Sequence, residues 1–128
     1  MAKKKIISFL AVFVSLLILD FLVISNLVFP LYEEGISQLL NEDVNIYSSL
    51  IAWFLIALGV SIIIVPLSKN KIDSFKNGAI FGLVLYGVYD FTNYAIIKGW
   101  TIEMVLFDVL WGIILCGTIS VIGKSFVK

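Results

Sequence analysis

Residues Ile6–Phe29 read IISFLAVFVSLLILDFLVISNLVF, and Asp20 is the single charged side chain among them. A helix that crosses a bilayer needs about 20 predominantly apolar residues. This run satisfies that requirement, so it is read as a first membrane span. Three further runs do the same: Tyr47–Leu67, Gly78–Ile97 and Met104–Gly123. The chain has 128 residues, of which 61% are hydrophobic, and its mean hydropathy is +1.09. A soluble domain is about 45–50% apolar, so the outside of this fold must be apolar as well. The expected fold is all-α: a four-helix transmembrane bundle forming one domain in a lipid bilayer.

Charge is segregated between the spans. The N-terminus carries Lys3, Lys4 and Lys5, the second gap Lys69, Lys71 and Lys76, and the C-terminus Lys124 and Lys128. The first gap is acidic, with Glu33, Glu34, Glu42 and Asp43, and the third is short, with Lys98 and Glu103. Eight of the nine Lys therefore fall at the termini and in the second gap. The positive-inside rule places those segments on the cytoplasmic side, which predicts an N-in, C-in topology, and a bacterial inner membrane is the expected location. The basic start followed by an apolar run resembles a secretory signal. It continues past twenty residues without a small-x-small cleavage site, so it reads as a retained helix. Pro30 is expected to end the first span. Residues 30–46 then form an outer loop, either plainly solvated or carrying a short interfacial helix around Ile36, Leu39 and Leu40.

The composition excludes several chemistries. There is no His, which removes the commonest general base and transition-metal ligand. There is no Arg, which removes the bidentate clamp for phosphate or carboxylate. The scattered Lys form no basic face, so nucleic acid is not an expected partner. Cys116 stands alone and cannot form an internal disulfide. No cofactor or metal is named by any motif.

Three carboxyls inside hydrocarbon mark the candidate site: Asp20, Asp90 and Asp108. A charged side chain there costs several kcal/mol unless neutralised or paired. No basic residue shares a run with any of them, so they stay protonated, share polar neighbours, or hold a cation from outside the chain. At 1.5 Å per residue, Asp20, Asp90 and Asp108 lie about 13, 11 and 7 Å from the outer ends of their spans, and Trp53 about 9 Å. Helices of alternating direction thus bring their acids into one half of the bundle, as one shared pocket would require. Tyr86, Asp90, Asn93 and Tyr94 follow i, i+4, i+7 and i+8 spacing and line one helix face, flanked by Tyr89 and Thr92. Asp108, Trp111 and Gly112 share a face of the fourth span. Asp90 is read as the central group, oriented by Asn93 and capped by Tyr94. The seams Gly112-Cys116-Ser120 and Gly78-Gly82 read as close helix packing. Trp100 and Tyr47 read as interface anchors. Trp53 and Trp111 are either core filling or ligand contacts.

The segments Tyr89-Asp90-Phe91-Thr92-Asn93 and Asp108-Val109-Leu110-Trp111-Gly112 resemble the signature of a family of small bacterial membrane proteins, domain of unknown function 2177. Leu19-Asp20-Phe21 and Gly78-Ala79-Ile80-Phe81-Gly82 are similar too. The resemblance covers most of the chain and implies a four-helix membrane protein of this length. It implies no activity. A Trp soon after Asp20 would fit the family's pattern, but Phe21, Leu22 and Val23 stand there.

Three functions stay open on the sequence. Oxygen-only ligands suit hard cations or organic ammonium groups, and aromatic rings add cation–π contacts, so the site binds or moves a cation or a proton-coupled solute. Alternatively, two of the carboxyls act as general acid and base on a lipid or isoprenoid. Alternatively, the acids pair with basic residues of a membrane partner. A homo-oligomer or such a partner is the expected assembly.

Overall fold

A computed structural model describes residues 2–127. The first rod begins as helix α1 (Ala2–Val23), passes through a π turn at Ile24–Val28, continues as α2 (Phe29–Ile36), and ends in a 3-10 turn at Ser37–Leu39. The second rod is α3 (Ile46–Gly59), a π turn at Val60–Ile64, and the short α4 (Val65–Leu67). The third and fourth rods are α5 (Lys71–Ile96) and α6 (Ile102–Ser125). All four rods are long and apolar enough to cross a membrane, and no strand occurs among the described residues.

Local chemistry explains where these helices start. The Asn45 side chain accepts a hydrogen bond from the Ser48 N–H at 3.1 Å. Asn70 does the same for Asp73 at 2.9 Å, and Thr101 for Met104 at 3.2 Å. Each cap satisfies one of the N–H groups that a helix N-terminus leaves free. The Asn70 cap starts α5 seven residues earlier than the apolar pattern predicts, because the first turns of α5 are polar yet helical. Between α5 and α6 the chain reverses at Gly99, whose φ of +93° is open to glycine at little steric cost.

Pro30 does not end the first span. A proline inside a helix removes one i→i−4 hydrogen bond. Here the helix has already switched to wider turns: the Phe29 N–H donates to the Ile24 carbonyl, five residues back. Pro30 then falls in the first turn of α2, where a missing N–H costs little. The Asn26 side chain donates to the Leu22 carbonyl at 2.7 Å and helps the chain through the switch. The segment expected to be a loop or a separate interfacial helix is thus largely helical and continuous with the first span.

Successive rods run antiparallel, as their contacts show: Ser8 meets Gly123, Asp20 meets Trp53 and Trp111, and Ser74 meets Ser120. One end of the bundle carries residues 40–45 and 97–101, and the other carries residues 68–70 with the start of α1 and the end of α6. Helix α6 is the centre of the fold and has the most buried residues. Around it Val12, Leu16, Ala57, Val60, Val65, Leu115 and Ile119 form the main core. Between the two charged ends the surface is largely apolar: Ile6, Leu10, Val14, Ile18, Ile51, Leu55, Val84, Val88, Leu106 and Leu110 all point outward. An apolar shell this continuous belongs in hydrocarbon.

A second, smaller core joins α2 to the start of α6 through Ile36, Trp100, Met104 and Val105. Trp100 is therefore buried rather than an interface anchor. Its ring lies 5.0 Å from Tyr32 and 5.8 Å from Tyr89, centroid to centroid. Burial wins because α2 folds over the α5–α6 turn, where a Cβ on Gly35 would strike the Gly99 carbonyl. Tyr47 is exposed, as an anchor would be.

Candidate functional site

The three acids come from three rods, and all three are buried. Their surroundings differ. Asp20, on α1, is held from two sides. The Trp53 indole N–H donates to Oδ2 at 2.7 Å, and the Trp111 indole N–H donates to Oδ1 at 2.8 Å. One carboxyl thereby ties α1 to α3 and to α6. Hydrogen bonds to a charged acceptor are the stronger kind, and a buried indole N–H needs a partner, so the three side chains satisfy one another.

Asp108, on α6, accepts a hydrogen bond from the Tyr32 hydroxyl. Tyr32 reaches it from α2, beyond the π turn and Pro30. The sequence reading did not single out Tyr32, because a span ending at Pro30 leaves it in a loop.

Asp90, on α5, is fully buried, and neither of its carboxyl oxygens has a hydrogen-bond partner. Asp108 and Trp100 flank it. The Trp100 indole N–H is buried without a partner too. Buried polar groups in folded proteins are nearly always paired, so a buried carboxyl without a donor is the exception that calls for an explanation.

Two clefts open beside these acids. The larger, about 510 Å³, lies between α3 and α5 with Asp20 at its wall, next to Trp53, Tyr86 and Tyr89. The smaller, about 180 Å³, is lined by Asp20, Asp108, Tyr32, Tyr86, Tyr89 and Trp111. Asp20, Ile24, Tyr86 and Tyr89 belong to both. Seven of the ten expected site residues therefore meet here: Asp20, Trp53, Tyr86, Tyr89, Asp108 and Trp111 line a cleft, and Asp90 stands behind Asp108. The remaining three, Thr92, Asn93 and Tyr94, line neither of these clefts. Thr92 is exposed, Asn93 is half-buried, and Tyr94 is 49% exposed. The polar stripe of α5 turns outward as it approaches the end of the helix.

The smaller cleft offers two carboxyls and five aromatic rings. Among the described residues no three His, Cys, Asp or Glu side chains group closely enough to hold a metal ion. The far half of the bundle is differently built: Ser61 Oγ is buried without a partner, and four other hydroxyls serve the backbone. Ser15 bonds to Ala11, Ser120 to Cys116, Ser8 to Gly123 and Ser74 to Ser120.

No curated protein and no solved structure matches the chain. The family model of domain of unknown function 2177, described as a predicted membrane protein, matches residues 5–125. With four membrane-crossing rods and its acids gathered at one end, the chain belongs to that family of membrane proteins.

Proposed function

We propose that this membrane protein binds a small organic cation of the ammonium type in the cleft between Asp20 and Asp108. The observation that carries this reading is the lining of the smaller cleft, with carboxyls on two sides and the rings of Tyr32, Tyr86, Tyr89 and Trp111 around them. Aromatic faces attract a desolvated cation by about 2 kcal/mol, and carboxyls supply the full counter-charge. Asp90 adds to the acidic character from behind Asp108. With the termini cytoplasmic, as the Lys distribution predicts, the cleft lies toward the outer face.

An ammonium group suits the site better than a metal ion. A metal ion asks for several oxygens in its first shell, and no such triplet of acids exists among the described residues. Rings in place of oxygens suit a bulky cation with a diffuse charge. Ser8, Ser15, Ser74 and Ser120 turn their hydroxyls to their own or neighbouring backbone, which supports binding over movement through the bundle.

The test is a titration of the protein in lipid nanodiscs with tetramethylammonium, read by tryptophan fluorescence. Trp111 lines the cleft, so its emission reports occupancy. The expected result is a saturable change in wild type and binding weakened about tenfold, or 1.4 kcal/mol, in Asp108→Asn. A signal that does not saturate, or an unchanged Asp108→Asn variant, would refute the proposal.

A further inference from the structure

Resting on that reading of the smaller cleft, we infer that the ligand is a long-chain amine: an ammonium head between Asp20 and Asp108, with its single apolar chain in the larger cleft, reached sideways from the bilayer between α3 and α5.

The two clefts adjoin. Asp20, Ile24, Tyr86 and Tyr89 form the wall between them and line both. On one side of that wall lie the acids and rings. On the other lie Ala52, Leu55, Ile56, Phe81 and Leu85, with no charged group other than Asp20. A site with one polar end and one apolar end fits a molecule built the same way.

The larger cleft also has a floor and a mouth. Its floor is the contact of Phe81 with α3, where a Cβ on Gly59 would come within 2.8 Å of the ring. There the two helices approach closely, and above it they splay. From Phe81 to Tyr89 the cleft runs eight residues along α5, about 12 Å at helical rise, which sets the length of chain that can be enclosed. Its mouth is flanked by Leu55 and Leu85, which are 58% and 38% exposed. In a membrane these residues meet hydrocarbon, so the opening faces acyl chains rather than water.

The lining also discriminates among amphiphiles. A phospholipid would bring its phosphate to Asp20 and Asp108, and neither cleft is lined by a Lys that would offset the repulsion. A head with positive charge alone avoids that penalty. Moving a chain from bilayer to cleft exchanges hydrocarbon for hydrocarbon and contributes little affinity. The head therefore supplies the binding energy, and the chain determines the route of access. Tetramethylammonium and the long-chain amine must then compete for one seat.

The experiment is photolabelling of the protein in phosphatidylcholine nanodiscs with decyltrimethylammonium carrying a diazirine in its chain, followed by peptide mapping. The expected labels concentrate in the α3 segment from Ala52 to Ile56 and the α5 segment from Phe81 to Leu85. Saturating tetramethylammonium is expected to reduce them about tenfold, as sharing one seat requires. If tetramethylammonium binds but labels spread over the lipid-facing surface, or persist undiminished in the cleft, the long-chain ligand is ruled out while the ammonium site stands. If tetramethylammonium produces no fluorescence change and no loss of label, the ammonium site itself is wrong and this inference falls with it.

Discussion

Asp20→Leu weakens the bundle by about 2–3 kcal/mol, whereas Asp90→Leu leaves it unchanged or strengthens it by about 1 kcal/mol. Both carboxyls are buried, and a count of buried charges would treat them alike. Their partners separate them. Removing Asp20 strands two indole N–H groups, those of Trp53 and Trp111, in an environment without water. It also cuts a side-chain hydrogen-bond link that joins α1, α3 and α6. Interhelical hydrogen bonds in membranes contribute about 1–2 kcal/mol at the strong end, and two are lost together. Removing Asp90 breaks no well-formed hydrogen bond, because the neighbouring Trp100 indole and Asp108 carboxyl stand beside its oxygens without closing one, and it relieves the cost of a buried carboxyl. The measurement is loss of far-ultraviolet circular dichroism as mixed micelles are titrated with sodium dodecyl sulfate. Equal midpoints for the two variants would contradict this assignment of roles.

The second large effect belongs to the α5–α6 seam. A Cβ on Gly82 would overlap the Gly112 carbonyl, and one on Gly78 would overlap the Cys116 carbonyl. Backbone is what stands in the way, so no side chain can swing aside. Gly82→Leu must push two helices apart along their length, with a cost of about 3 kcal/mol or more. It also displaces Tyr86 from Gly112, against which that ring is seated, and so deforms both clefts. Gly87, five residues on, has open space around it. There Gly87→Ala gains helix propensity of up to about 1 kcal/mol. The same micelle titration is expected to show a large loss for Gly82→Leu and a small gain for Gly87→Ala. A stable Gly82→Leu protein would mean that α5 and α6 do not meet at this seam.

The spans were legible in the sequence because hydrocarbon imposes a length and a composition that few other environments do. The grouping of the acids was legible for a related reason: depth follows from helical rise alone. Azimuth was harder. Tyr47–Leu67 is apolar on all sides, so no periodicity states which face of α3 turns toward Asp20. The pairing of Trp53 and Trp111 with Asp20 therefore emerges only in three dimensions. The α5 stripe illustrates the opposite limit. Its spacing places Tyr86, Asp90, Asn93 and Tyr94 on one face, but helix packing decides how far along that face the interior extends, and it ends before Tyr94. Tyr32 and Trp100 were hidden by local rules that tertiary contacts override. Pro30 read as a terminator, and a Trp near a predicted interface read as an anchor. Both readings neglect that α2 folds back over the α5–α6 turn.

The π turn at Ile24–Val28 has a consequence for how this chain tolerates change in length. Each wide turn accommodates one residue more than an α turn would, so the extra residue is absorbed locally and α2 keeps the phase of an uninterrupted helix one residue shorter. Deleting one residue from that turn would restore the ordinary pitch and leave α2 facing as it does now. Tyr32 would still reach Asp108, and Asp20, on the near side, would keep both indoles. The spacer between Asp20 and Tyr32 thus carries one residue of slack, a spare link that lets the chain shorten there without losing alignment.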